Sequence, residues 1–84
     1  MTRYSAKVHV TLKPTVNDPQ GNAVLGGLRT LGFDSVQSVR VGKYLTLNLE
    51  AADEQDASKQ VAAMCEKLLA NTVIESYEME ISQA

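Results

Sequence analysis

The sequence predicts an α+β domain in the order β-α-β-β-α-β. This is the ferredoxin-like plan of a four-stranded antiparallel sheet with two helices on one face. Three observations predict it. "YSAKVHVTLK" near the start and "YEMEI" near the end alternate apolar and polar residues strictly. Two intervening segments carry apolar residues at helical spacing between cap and stop signals. Between those helices, "SVQSVRVGKYLTLNLE" keeps strand parity on both sides of a glycine.

In the first strand Tyr4, Ala6, Val8, Val10 and Leu12 share one face, and Ser5, Lys7, His9, Thr11 and Lys13 the other. One buried face accounts for this pattern. Pro14 ends the strand because it offers no ladder donor. Asp18 reads as a helix N-cap and Pro19 as the first helical residue. Val24, Leu28 and Leu31 form the apolar stripe, with Leu25 on its flank. Gly26 and Gly27 each cost this helix roughly 1 kcal/mol relative to alanine, so a close approach to a strand or another chain is the expected compensation. Gly32 suits a left-handed C-terminal cap, with Phe33 packing back.

In the middle region Val39 and Val41 share parity with Leu45, Leu47 and Leu49. A two-residue turn at Gly42-Lys43 would set Arg40 on the buried face. A three-residue loop, Gly42-Lys43-Tyr44, pairs Val41 with Leu45 and keeps Arg40 outside. Asp53 and Asp56 resemble a capping box with Asp in place of Glu. Ala57, Val61, Met64 and Leu68 form the second helical stripe, and Asn71 stops it. In the last strand Tyr77, Met79 and Ile81 point inward, Glu78 and Glu80 outward.

The 84 residues make one domain, 1–84, with no linker or low-complexity segment. A domain this small buries only about 60–65% of its unfolded surface. Its exposed sheet edges and its extra apolar residues Leu25 and Leu69 predict a homo-oligomer, a dimer or dimer of dimers. The net charge of −2 offers no footprint for nucleic acid or an anionic membrane. No apolar run reaches the roughly 18 residues of a membrane span, and the N-terminus has no apolar signal core, so a cytoplasmic location is expected. The single cysteine, Cys65, fits a reducing compartment.

Few residues could do chemistry. Cys65 lies mid-helix among apolar neighbours, without the basic group or helix N-terminus that activates a thiol. His9 has no second His or Cys with which to bind zinc. Glu78 and Glu80 face Lys7 and His9 across the sheet, where charge pairing is a more economical account than acid/base work. "GGLRTLG" and "RVGKY" lack the phosphate-loop pattern. The outward sheet positions lack the aromatic residues that stack RNA bases, Tyr44 excepted. No catalytic machinery is evident, and an interaction domain is the reading that remains.

The chain resembles the PurS family, the small subunit of phosphoribosylformylglycinamidine (FGAM) synthase. The resemblance rests on "VTLKP" at 10–14, "DPQG" at 18–21, "LGF" at 31–33, "VRVGKY" at 39–44, "MCEKLLAN" at 64–71 and "VIESYEMEI" at 73–81. It implies a non-catalytic assembly subunit in purine biosynthesis, working with the PurQ glutaminase and the PurL synthetase. PurQ releases ammonia from glutamine. PurL uses ATP to activate the amide oxygen of formylglycinamide ribonucleotide (FGAR), which ammonia displaces to give FGAM. ATP and magnesium are thereby expected in the complex, with no cofactor or metal on this subunit. Asp18, Pro19, Gln20 and Gly21 in the first connector, with Arg40, Gly42, Lys43 and Tyr44, are the expected partner contacts. The alternative is a small-molecule-binding regulatory α+β domain; an RNA-binding module ranks third.

Overall fold

The structure, a computed structural model, describes residues 1–84. Strand β1 (Thr2–Leu12) is followed by helix α1 (Pro19–Thr30), strand β2 (Gly42–Ala51), helix α2 (Glu54–Met64) and strand β3 (Glu75–Gln83); a π-helical turn, Cys65–Leu69, extends α2. Both β2 and β3 pair antiparallel with β1, giving the sheet order β2-β1-β3.

The sheet therefore has three strands, not four. Residues 35–41, expected to pair back on β2 through a Gly42-Lys43-Tyr44 loop, form no strand. Those three loop residues instead open β2, opposite Thr11, Val10 and His9. The parity argument did not choose between partners, because β1 offers the same alternation. Leu45, Leu47 and Leu49 lie opposite Val8, Ala6 and Tyr4, where they meet a longer apolar face. Gly42 serves close approach rather than a turn: a Cβ there would lie 2.6 Å from the Val10 carbonyl oxygen.

The core follows the alternation of β1. Tyr4, Ala6, Val8 and Val10 are buried beneath Ala57, Val61 and Cys65 of the second helical segment. Leu45, Leu47, Tyr77, Met79 and Ile81 close its flanks. The second stripe thus runs Ala57, Val61, Cys65 rather than through Met64 and Leu68. The widened turn bonds the Ala70 N–H to the Cys65 carbonyl at 3.0 Å. It carries Ala70 into the core and leaves Leu68 83% exposed. At the start of α2, Asp53 accepts the Asp56 N–H at 2.8 Å, and the Asp56 carboxylate accepts the Ala52 N–H at 3.0 Å. This is a capping box whose return bond is offset by one residue.

Helix α1 begins and ends as its signals require. Asp18 caps the Gly21 N–H at 2.9 Å, and Gly32 takes φ +96°. The Phe33 N–H bonds the Leu28 carbonyl at 3.0 Å, completing a Schellman close. The expectation that both helices cover the sheet is not met. Only α2 packs on the strands, and α1 buries Gly21 alone. Nothing lies within 4 Å of a Cβ built at Gly26 or Gly27, so those glycines serve no close approach within the chain, and Phe33 is 55% exposed. The helix packs instead on its own return segment. A Cβ at Gly21 would lie 2.1 Å from the Val39 carbonyl oxygen, and Arg29 donates to the Val36 carbonyl at 3.2 Å. Helix and return form an arm beyond the end of the sheet where Leu12, Gly42 and Glu75 meet. The molecule measures 52 × 26 × 14 Å, whereas β1 spans only about 36 Å. No helix is long and apolar enough to cross a membrane.

Candidate functional site: the base of the arm

The first connector and the start of β2 meet where the arm leaves the sheet. They enclose a shallow cavity of about 260 Å³ lined by Val10, Leu12, Asp18, Gln20, Val41, Gly42, Lys43 and Glu75. Four of the eight residues singled out from sequence, Asp18, Gln20, Gly42 and Lys43, are thus brought together. Asp18 is 4% exposed. One carboxylate oxygen accepts the Gly21 N–H and the other the Val41 N–H at 2.7 Å. These two bonds, the Gly21 one first, hold its carboxyl below the usual carboxylate range against the opposing effect of burial, with Arg40 assisting.

The remaining residues sort into braces and free surface. Arg40 donates to the carbonyls of Lys13 at 2.9 Å and Val16 at 2.8 Å, tying the return segment to the connector. Lys43 donates to the Leu69 carbonyl at 3.0 Å and pairs with Glu75 at 3.8 Å. Gly21 is buried. Pro19 and Gln20 are exposed. Tyr44 is 55% exposed and lies on the opposite face of the sheet, its ring 4.7 Å from that of His9. Lys43 and Tyr44 therefore point away from each other, as alternation along a strand demands.

Glu75 is the cavity residue missed from sequence. It also accepts the Asn71 N–H at 2.6 Å, joining the π-helical turn to β3. Its position just ahead of the "SYEMEI" alternation is the only signal that marked it. The other carboxylate pair takes the positions the alternation suggested, Glu80 opposite Lys7 and Glu78 opposite His9, but neither closes into the expected ion pair; the salt bridge of the chain is Lys43–Glu75. Cys65 is fully buried, and burial pushes its thiol pKa up, with Glu66 adding to the rise. The Tyr77 hydroxyl donates to Glu66 at 3.1 Å, which raises its pKa as well. No group of three or more His, Cys, Asp or Glu side chains is placed to hold a metal ion. The base of the arm carries two engaged carboxylates, Asp18 and Glu75, one braced ammonium, Lys43, and two exposed residues of the first turn of α1, Pro19 and Gln20. That set suits contact rather than bond making.

Known proteins resemble this chain in sequence and fold. The sequence model of the PurS family, phosphoribosylformylglycinamidine (FGAM) synthase, matches residues 5–83. The phosphoribosylformylglycinamidine synthase subunit PurS of Synechocystis is 56% identical over 79 residues, covering 94% of this chain and 79% of the relative. That of Bacillus subtilis is 50% identical over 80 residues, covering 95% and 94%. Among solved structures, B. subtilis PurS superposes with a TM-score of 0.87 at 50% identity, over 95% of this chain and 99% of the other. A chain of PurLQS from Thermotoga maritima superposes with a TM-score of 0.89 at 32% identity, over 98% and 100%.

Proposed function

The chain belongs to the PurS family of phosphoribosylformylglycinamidine synthase, and from that membership we propose that it acts as the non-catalytic subunit joining PurQ and PurL. The observation that carries this reading is the match, over nearly the full length of both chains, to a chain of PurLQS. In this role the protein works as one unit over residues 1–84 in the cytoplasm. PurQ releases ammonia from glutamine, and PurL, with ATP and magnesium, converts FGAR to FGAM. The small subunit holds the two together so that ammonia passes between them. Water exclusion at the joint has a chemical purpose, because ammonia protonated in bulk water is no nucleophile.

Residues of this chain fit a contact role. Pro19, Gln20 and Tyr44 present free surface, while Asp18, Gly21, Arg40, Gly42 and Lys43 hold the connector and β2 in position beneath them. In this reading ATP and magnesium belong to the other subunits. The fold is read as a ferredoxin-like variant. Strand β1 lies between the strands that follow α1 and α2, the split β-α-β arrangement of that plan.

Reconstitution tests the proposal. FGAM formation is measured with PurQ and PurL fixed and this protein titrated, using glutamine or ammonium as nitrogen source. Glutamine-dependent activity that rises with the small subunit, over a constant ammonia-dependent rate, is expected. Full glutamine-dependent activity in its absence would rule the role out.

A further inference from the structure

Arg40 carries a charge that the fold positions but does not neutralise. Its side chain is exposed. One nitrogen, Nη2, donates to the Lys13 carbonyl at 2.9 Å and to the Val16 carbonyl at 2.8 Å. These bonds orient the guanidinium and leave the N–H groups on Nε and Nη1 without a partner in the chain. A carbonyl bears no formal charge, so the brace does not cancel the cation. No carboxylate lies within ion-pair distance of it; the one ion pair of the chain joins Lys43 and Glu75. Asp18 feels the Arg40 charge, but its two oxygens are taken by the Gly21 and Val41 N–H groups.

With Thr11, Leu12 and Pro14, Arg40 lines a depression of about 360 Å³, which is within the size range of small-molecule sites. It shares only Leu12 with the cavity that holds Asp18 and Lys43. Lys13 brings a second cation. Its carbonyl is one of the two that Arg40 holds, so its ammonium lies within a side chain's reach of the guanidinium. Two cations side by side run against the net charge of −2, which makes this a local feature rather than the tenor of the whole surface.

We propose that this depression binds a phosphate group, held by the free N–H groups of Arg40, the Lys13 ammonium and the Thr11 hydroxyl. A guanidinium with its plane already fixed suits an oxyanion, and two cations suit a dianion better than a single carboxylate. The group is carried by inorganic phosphate or by a phosphorylated small molecule; the chemistry recognised is the same. The site is independent of the PurQ and PurL reading, since it needs only this protein.

Titration of the purified full-length chain tests the site. Inorganic phosphate, ribose 5-phosphate and acetate are added in turn at constant ionic strength and about pH 7.5, where a phosphate group is mostly a dianion. Two-dimensional NMR follows the amides of Thr11, Lys13 and Val41 and the Arg40 Nε–H. Saturable shifts at these groups are expected with phosphate, at a Kd of about 1 mM or tighter, and acetate is expected to bind at least about tenfold more weakly. Ribose 5-phosphate binding tighter than inorganic phosphate would support the site with a phosphorylated small molecule as its ligand; equal or weaker binding would support it with free phosphate. Lys13→Gln keeps the carbonyl that braces Arg40 and is expected to weaken binding about tenfold. Arg40→Lys, which cannot serve the brace and the anion together, should weaken it at least as much. Circular dichroism checks both folds. Absence of saturable shifts overturns the proposal, as does acetate binding as tightly as phosphate. Unchanged phosphate affinity in folded Lys13→Gln overturns it as well.

Discussion

The buried Asp18 carboxylate receives the Val41 N–H at 2.7 Å across 23 residues of chain, so one side chain both starts helix α1 and anchors the segment that returns from it. Its ionised form is the one these donors favour. The folded pKa lies below the unfolded one, so Asp18 stabilises the fold above the unfolded pKa, and that contribution is lost as pH falls through the folded value. Asp18→Asn presents an amide N–H to one of the two donors. Its Tm is expected to fall at pH 7. As pH falls below the ordinary aspartate value of about 3.9, the wild-type Tm should drop toward that of the variant. Thermal melts across this series check it; parallel curves would remove Asp18 from the account.

Two glycines of α1 should respond oppositely to alanine. At Gly21 the new methyl would collide with the Val39 carbonyl oxygen and crowd Asp18, and a destabilisation of about 2 kcal/mol or more is expected. At Gly26, opposite the apolar stripe and with open space around it, alanine should stabilise by about 0.5–1 kcal/mol through a stiffer unfolded chain. Urea denaturation of both variants reads the difference.

Cys65 is packing material. Cys65→Ala is expected to cost on the order of 1 kcal/mol and to leave glutamine-dependent FGAM formation unchanged. The native thiol, buried and with its pKa raised, should resist iodoacetamide at neutral pH and react promptly once urea unfolds the chain. Fast alkylation of the native protein would contradict this.

Lys43 and Tyr44 lie on opposite sheet faces, so their single substitutions should separate. Lys43 is satisfied within its own chain by a pair more than half exposed on the lysine side. Lys43→Ala should therefore change stability by about 0.5 kcal/mol or less and spare assembly. Tyr44 offers an exposed aromatic steadied by His9. Losing an anchor worth about 2 kcal/mol should shift the small-subunit titration midpoint some thirtyfold. An unmoved midpoint for Tyr44→Ala in folded protein would take it out of the contact surface.

Local signals in the sequence were legible where the physics is local. The alternation of β1 and β3, the Asp18 and Asp53 caps and the Gly32 stop each depend on residues a few positions apart, and each occurs where expected. The fourth strand failed because the parity of Val39 and Val41 fits a hairpin and a free return segment equally. What decides between them is Arg40 reaching carbonyls of the connector, and a carbonyl leaves no trace in a side-chain pattern. The π-helical turn was missed for a related reason: one extra backbone residue shifts Leu68 outward without altering any residue type. At the base of the arm, "DPQG" and "RVGKY" marked the right neighbourhood. Which of those side chains brace the chain and which face outward depended on bonds that form only when the two stretches meet.

The central place of β1 also governs how the protein is made. Both of its neighbours are encoded later than it is, and Tyr4 lies opposite Gln83. High contact order slows folding, because loop-closure entropy is spent before distant strands reward it. A nascent chain emerging from the ribosome holds a two-stranded ribbon with one side of β1 unpaired until residues 75–83 arrive. During that interval the apolar alternation of β1 is available to any other extended chain. Synthesis is therefore the stage at which this small protein is most open to aggregation.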